Sequence, residues 1–176
     1  MKLTVFGSAA AVPGSAAYVS AMKIGELAAR EGWIVLCGAY GGVMEAAARG
    51  ATSAGGRVVG YALPGRTQVN SSLSEAHVMP SYGARLDALL SGDAFVFIVP
   101  DGIGTLAELL VVLNHNKKLW SPPKRLTILE DATARPRWWE SVVGLLRQLH
   151  AVSDADFARV TVSASPETAI AALRFR

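Results

Sequence analysis

Short apolar runs alternate with longer stretches of helical spacing from one end of the chain to the other. The apolar runs cover about residues 2–7, 33–38, 57–62, 93–99, 125–130 and 159–163, with a short extra one near Ala76–Met79. The helical patterns cover about 15–31, 42–54, 82–91, 104–118, 137–150 and 166–174. A run such as Ala94-Phe95-Val96-Phe97-Ile98-Val99 is apolar at every position, which marks a strand covered on both faces. Strand and helix alternating throughout predict an α/β fold: a single-domain, doubly wound (Rossmann-like) parallel sheet over residues 1–176, with helices on both faces and right-handed crossovers. The punctuation agrees. Gly32, Gly55-Gly56, Gly92 and Ser121-Pro122-Pro123 fall between elements, and Ser165-Pro166-Glu167 has the cap, proline and acid order of a helix start. Pro64 to Ser74 carries no such pattern and reads as a loop near the ligand crevice.

Composition narrows the class. Of 176 residues, 51% are hydrophobic and 18% charged, with a formal net charge of +3. So apolar a chain fills a doubly wound core and leaves residues for a subunit interface, so a homodimer, or an oligomer built from dimers, is expected. No apolar run reaches the ~18 residues that a membrane span needs. Met1 to Gly7 reads as a first strand rather than a signal peptide, so a cytoplasmic protein with no membrane partner is expected. Lys and Arg do not cluster on one helix face, which argues against nucleic acid, while a mild positive balance suits a small anionic ligand. The lone Cys37 ends the apolar run from Trp33 and reads as a small buried hydrophobe. His77, His115 and His150 stand apart without metal-ligand spacing, so no metal and no cofactor are expected. Trp138-Trp139, after Arg135-Pro136-Arg137, read as anchors of a late helix.

The chemistry concentrates where strands end, which is where open parallel sheets bind ligands. The run to Val99 is followed by Pro100-Asp101-Gly102-Ile103-Gly104-Thr105-Leu106-Ala107-Glu108: a strand, a glycine-rich turn and a helix start. Gly102 and Gly104 let backbone amides approach a ligand, Thr105 offers an N-cap hydroxyl, and the helix N-terminus attracts phosphate. Glu108 lies about one turn further on, on the side that faces the same crevice. The first strand ends in Gly7-Ser8, where Ser8 either donates to a ligand oxygen or simply closes the turn. The second ends in Gly38-Ala39-Tyr40-Gly41-Gly42-Val43-Met44-Glu45, a glycine-rich loop opening a small-residue helix. Such loops also serve close helix-to-sheet packing. Glu45 either meets a ribose or complements the helix dipole. Arg85, in Tyr82-Gly83-Ala84-Arg85-Leu86, either grips an anion with its planar fork or pairs with Asp87 or Glu75.

These segments resemble the LOG ("Lonely guy") family, phosphoribohydrolases acting on nucleoside 5′-monophosphates and often labelled lysine decarboxylases. Pro100-Asp101-Gly102-Ile103-Gly104-Thr105 to Glu108 is similar to that family's Pro-Gly-Gly-x-Gly-Thr-x-x-Glu, with Asp101 in place of a glycine. Gly38, Gly42 and Met44 fit its glycine loop, in which Cys37 and Ala39 replace two glycines. Gly41-Gly42-Val43-Met44-Glu45 is closer to a neighbouring branch that includes molybdenum-cofactor carrier proteins. Arg85 matches the family's substrate-binding arginine, while Leu86 and Tyr82 replace its lysine and methionine. The resemblance implies that Gly7, Ser8, Gly38, Gly41, Gly42, Met44, Gly102, Ile103, Gly104 and Thr105 bind a nucleotide. It implies that Arg85 orients the nucleotide and that Glu108 stabilises the ribosyl cation as an N-glycosidic bond breaks. The departures at Asp101, Leu86, Cys37 and Ala39 point instead to a non-catalytic carrier or sensor. Lysine decarboxylation is excluded by the want of a Schiff-base lysine in these motifs.

Overall fold

The strands β1 (Lys2–Phe6), β2 (Ile34–Gly38), β3 (Val58–Ala62), β4 (Glu75–Val78), β5 (Ala94–Ile98), β6 (Arg125–Leu129) and β7 (Val160–Ser163) form one sheet in the order β4-β3-β2-β1-β5-β6-β7. Every pairing is parallel. The computed structural model describes residues 1–65, 68–99, 102–131, 133, 137–149 and 153–174. Asp101, Pro100, His150 and Arg135-Pro136, all weighed above, lie outside the described residues. Around the sheet run α1 (Ala16–Arg30), α2 (Val43–Ser53), α3 (Tyr82–Leu90), α4 (Ile103–Lys118), α5 (Trp138–Gln148), the single turn α6 (Asp154–Phe157) and α7 (Pro166–Leu173). The fold is the doubly wound α/β sheet that the alternation predicts. The turn α6 is an addition. A four-residue helix has no apolar period to read, and it is held locally by a capping box between Ser153 and Asp156.

The central strands β1 and β5 divide their side chains between two cores. Ala94, Val96 and Ile98 join Leu3, Val5 and Val35 beneath α1, α2 and α7, while Phe95 and Phe97 join Phe6, Leu126 and Ile128 beneath α3, α4 and α5. Phe6 pairs with Phe97 across the β1–β5 ladder, and their rings stack at 4.8 Å. Trp139 belongs to the second core and meets Phe157 edge-on, as an anchor of α5 should.

Two features of the packing position the site. First, α1 and α2 touch backbone to backbone. A Cβ on Gly25 would collide with the Ala47 carbonyl, and one on Gly50 with the Met22 carbonyl. This contact seats α2 close under β1 and β2. Second, the far end of α3 is tied to the sheet. Thr4 Oγ1 donates to the Leu89 carbonyl at 2.7 Å, and Lys124 Nζ donates to the carbonyls of Leu90 and Gly92, each at 2.8 Å.

The strand order reverses direction at β1, whose neighbours are β2 and β5. The two halves of the crossover part there, which opens a crevice beyond the carboxyl ends of the strands.

Candidate functional site

A cavity of about 350 Å³ occupies that crevice. Gly7 from the end of β1, Gly38 and Met44 from the β2–α2 junction, Arg85 from α3, and Gly102, Gly104, Thr105 and Glu108 from the start of α4 all line it. Gly41 lines the adjoining space instead. Ser8, Gly42 and Ile103 are not in the wall. Ser8 Oγ accepts the Ala10 amide at 3.1 Å, a local turn, while the Ser8 carbonyl accepts the Val43 amide at 2.8 Å and so fastens β1 to the start of α2. Gly42 caps α2 with φ of 66°, and a Cβ there would strike the Ser8 carbonyl, so only glycine makes this junction. Ile103 is 86% exposed and faces away.

Position 7 is equally restricted. A Cβ there would stand 2.8 Å from Val43 Cγ1 and 3.1 Å from the Ile98 carbonyl. The glycines after β1 and β2 thus allow two strand ends and one helix start to converge.

The cap of α4 differs from expectation. Gly102, in an extended conformation with φ −76° and ψ −175°, is the N-cap, and Thr105 is the third residue of the helix. Thr105 therefore does not supply the cap. Its side chain is buried against the crevice instead. Gly102 itself has no side chain with which to cap the helix, and the first turn of α4, the positive end of its dipole, borders the cavity. Glu108, half-buried, lines the cavity one turn later.

Arg85 is only 8% exposed. Its Nε donates to the Tyr61 carbonyl at 2.8 Å, and its guanidinium carbon lies 5.6 Å from the centre of the Tyr40 ring. Neither acid weighed as a surface partner is used: Glu75 pairs with Arg57 across the sheet edge, and no ion pair joins Asp87 to Arg85 among the described residues. A buried cation without a carboxylate is costly unless something anionic shares its site. The guanidinium reaches the cavity beside Gly38, because a Cβ on that residue would collide with Arg85 Nη2 and Met44 Sδ.

Behind this wall, burial pushes the Cys37 thiol up to about 12 from an ordinary 9.0, against a smaller opposing pull from Arg85. A thiol so placed stays protonated and is no nucleophile. Of the histidines, His77 stacks on Tyr61 at 5.9 Å, and His115 Nδ1 lies 2.9 Å from the Val111 carbonyl. Both are accounted for by local contacts.

Tyr40 is the wall residue that motif reading passed over. It lines the cavity and the space beyond, and its hydroxyl accepts the Leu63 amide at 2.7 Å. Its signal was present in the sequence: an aromatic ring among glycines has few side chains nearby to bury it. Tyr82, noted only as a replacement for methionine, also lines the cavity. It lies one helical turn before Arg85, on the same face.

A Rossmann-like sheet with glycine-lined strand ends, a buried arginine and a glycine-capped helix start defines a class of α/β protein with a crevice at its topological switch point. The SLOG cluster4 family model matches residues 1–135, and the chain belongs to that family. An uncharacterized protein of Archaeoglobus fulgidus is 34% identical over 110 residues, 60% of this chain and 72% of its own length. The molybdenum cofactor carrier protein of Chlamydomonas reinhardtii superposes with a TM-score of 0.73 at 28% identity, over 97% of this chain and 94% of that one. The molybdenum cofactor binding protein of Rippkaea orientalis gives a TM-score of 0.69 at 28% identity, over 97% and 91%. The resemblance to LOG proteins therefore holds at the level of the wider SLOG grouping, and the likeness to molybdenum-cofactor carriers is met in solved structures.

Proposed function

We propose that the crevice binds a phosphate-bearing nucleotide and that the protein hydrolyses the N-glycosidic bond of a nucleoside 5′-monophosphate, giving free base and ribose 5-phosphate. One observation carries this reading: a buried arginine with no carboxylate partner among the described residues and a glutamate share a cavity closed by a glycine-capped helix start. Gly102, Gly104 and Thr105 hold the phosphate at the positive end of α4. Gly7, Gly38 and Met44 shape the floor, and Arg85 orients the anion with the Nη end of its fork. Glu108 sits far enough along α4 to face the ribose rather than the phosphate. As the bond from C1′ to the base breaks, positive charge develops on the ring, and a fixed carboxylate stabilises it until water adds at C1′.

Purified protein incubated with a panel of nucleoside monophosphates, with free base assayed by chromatography, tests the reading. Release of base supports it, and binding without release removes the hydrolase.

A second reading has support of its own. The two structural relatives are described as binding or carrying molybdenum cofactor, and Leu86 stands where LOG proteins have a lysine. Under this reading the same residues hold a phosphate-bearing cofactor without cleaving it.

The working form proposed is a homodimer. Ile103 and Leu110 are 86% and 38% exposed, with the exposed Ala107 between them, a stripe at helical spacing along the outer face of α4. A second copy of the chain covers that stripe and stands beside the crevice.

A further inference from the structure

The cavity described above is only part of the crevice. Past Tyr40 and Ala9, which border both spaces, lies a second compartment of about 730 Å³. We infer that it is a binding site for the distal half of a two-part ligand, a neutral, hydroxyl-bearing group joined to the phosphate-bearing half in the inner cavity. This rests on the reading of the inner cavity as a phosphate site.

The compartment is built rather than merely open. Asn70 fastens its outer wall to the β2–α2 loop with two bonds and braces its own segment with a third. Its amide donates to the Ala39 carbonyl at 2.9 Å, its Nδ2 to the Tyr40 carbonyl at 3.3 Å, and its Oδ1 accepts the Ser72 amide at 2.9 Å. Tyr40, the partition, is held from the other side by the Leu63 amide. A wall fixed before the ligand arrives lowers the ordering cost of binding.

The chemistry of the lining selects the ligand. Glu45, in the first turn of α2, borders the compartment. Arg49 Nη1 lies 3.7 Å from Glu45 Oε1 and also donates to the Tyr18 hydroxyl at 3.1 Å, which steadies the pair. Oε2 leans over Gly41, 3.9 Å from where a Cβ would stand, and takes no hydrogen bond from the described residues. A carboxylate oxygen presented in this way accepts from hydroxyl groups, as acidic residues do from ribose, and repels a second phosphate. The volumes agree. The inner cavity lies near the low end of the ~300–1,000 Å³ typical of small-ligand sites, and the two spaces together reach its high end.

Isothermal titration of the full chain with AMP and with adenylyl-(3′→5′)-adenosine, in which the single phosphate of AMP carries a second, neutral nucleoside, tests this. The two-part ligand is expected to bind about tenfold or more tighter than AMP, a gain of about 1.4 kcal/mol. Glu45→Ala should narrow that gap, with the melting temperature recorded to show that the variant is folded. Gly41→Val provides an independent block. A Cβ at position 41 meets nothing closer than 3.9 Å, so the added methyl groups enter the compartment. Equal affinities for the two ligands, or variants that weaken both equally, overturn the inference and leave the AMP site standing. Failure of AMP and the two-part ligand alike to bind overturns both.

Discussion

The guanidinium of Arg85 occupies the space that a side chain at position 38 would take. Two residues 47 positions apart in sequence are thus one structural unit: glycine after β2 is the condition for a buried cation beneath the crevice. Gly38→Ala is expected to push Arg85 or Met44 aside, with a loss of about 1–3 kcal/mol, the usual cost of overpacking. Urea denaturation and AMP titration on the same variant check this. If stability and affinity both remain at wild-type values, the two residues are not coupled as described.

Arg85 and Glu108 should separate binding from bond cleavage. Arg85→Ala removes a charged contact of about 1.5–3 kcal/mol, which is roughly ten- to hundredfold in nucleotide affinity. Glu108→Gln is nearly isosteric and removes the charge, so base release should fall by orders of magnitude while AMP affinity stays within a few fold. Single-turnover assays beside equilibrium titrations distinguish the outcomes. Hydrolysis that survives Glu108→Gln would show that this carboxylate does not stabilise the transition state.

The exposed stripe on α4 predicts the assembly. Light scattering at micromolar concentration should report twice the chain mass of 18.5 kDa, or a multiple of that pair. Leu110→Glu places a charge in the stripe and should shift the species toward 18.5 kDa. A wild-type monomer would defeat the proposal.

Cys37 gives a dependence on pH with a definite sign. Its thiol is raised from 9.0 to about 12 by burial, so the folded chain keeps a proton that the unfolded chain releases. The contribution is complete below about pH 9 and is lost as the pH rises toward about 12, at about 1.4 kcal/mol per unit. Urea midpoints at pH 8 and pH 10.5 should therefore fall more for the wild type than for Cys37→Ala, which lacks the group. Equal slopes would mean that the thiol ionises freely in the folded state.

The order of strands and helices was legible in the sequence because apolar periodicity is a local property. A strand covered on both faces reads as a continuous apolar run whatever its neighbours are, and Ala94–Ile98 and Ile34–Gly38 lie where such runs predict them. The glycine-rich turns at Gly7, Gly38 and Gly102 were legible for the same reason, since a turn marks its own position. What stands around them was not. Whether Arg85 is a surface cation or a buried one, whether Thr105 caps a helix or lines a cavity, and whether Asn70 anchors a wall depend on residues brought together from β1, β2, β3, α3 and α4. Side chains in the first turns of helices and in loops have no periodic constraint on where they face. Their direction is settled by close approaches such as that of Gly25 and Gly50 between α1 and α2, and by long-range bonds such as that from Arg85 to the Tyr61 carbonyl. Those contacts form only when the sheet has assembled, which is why local pattern reveals the frame of this protein and tertiary packing decides its crevice.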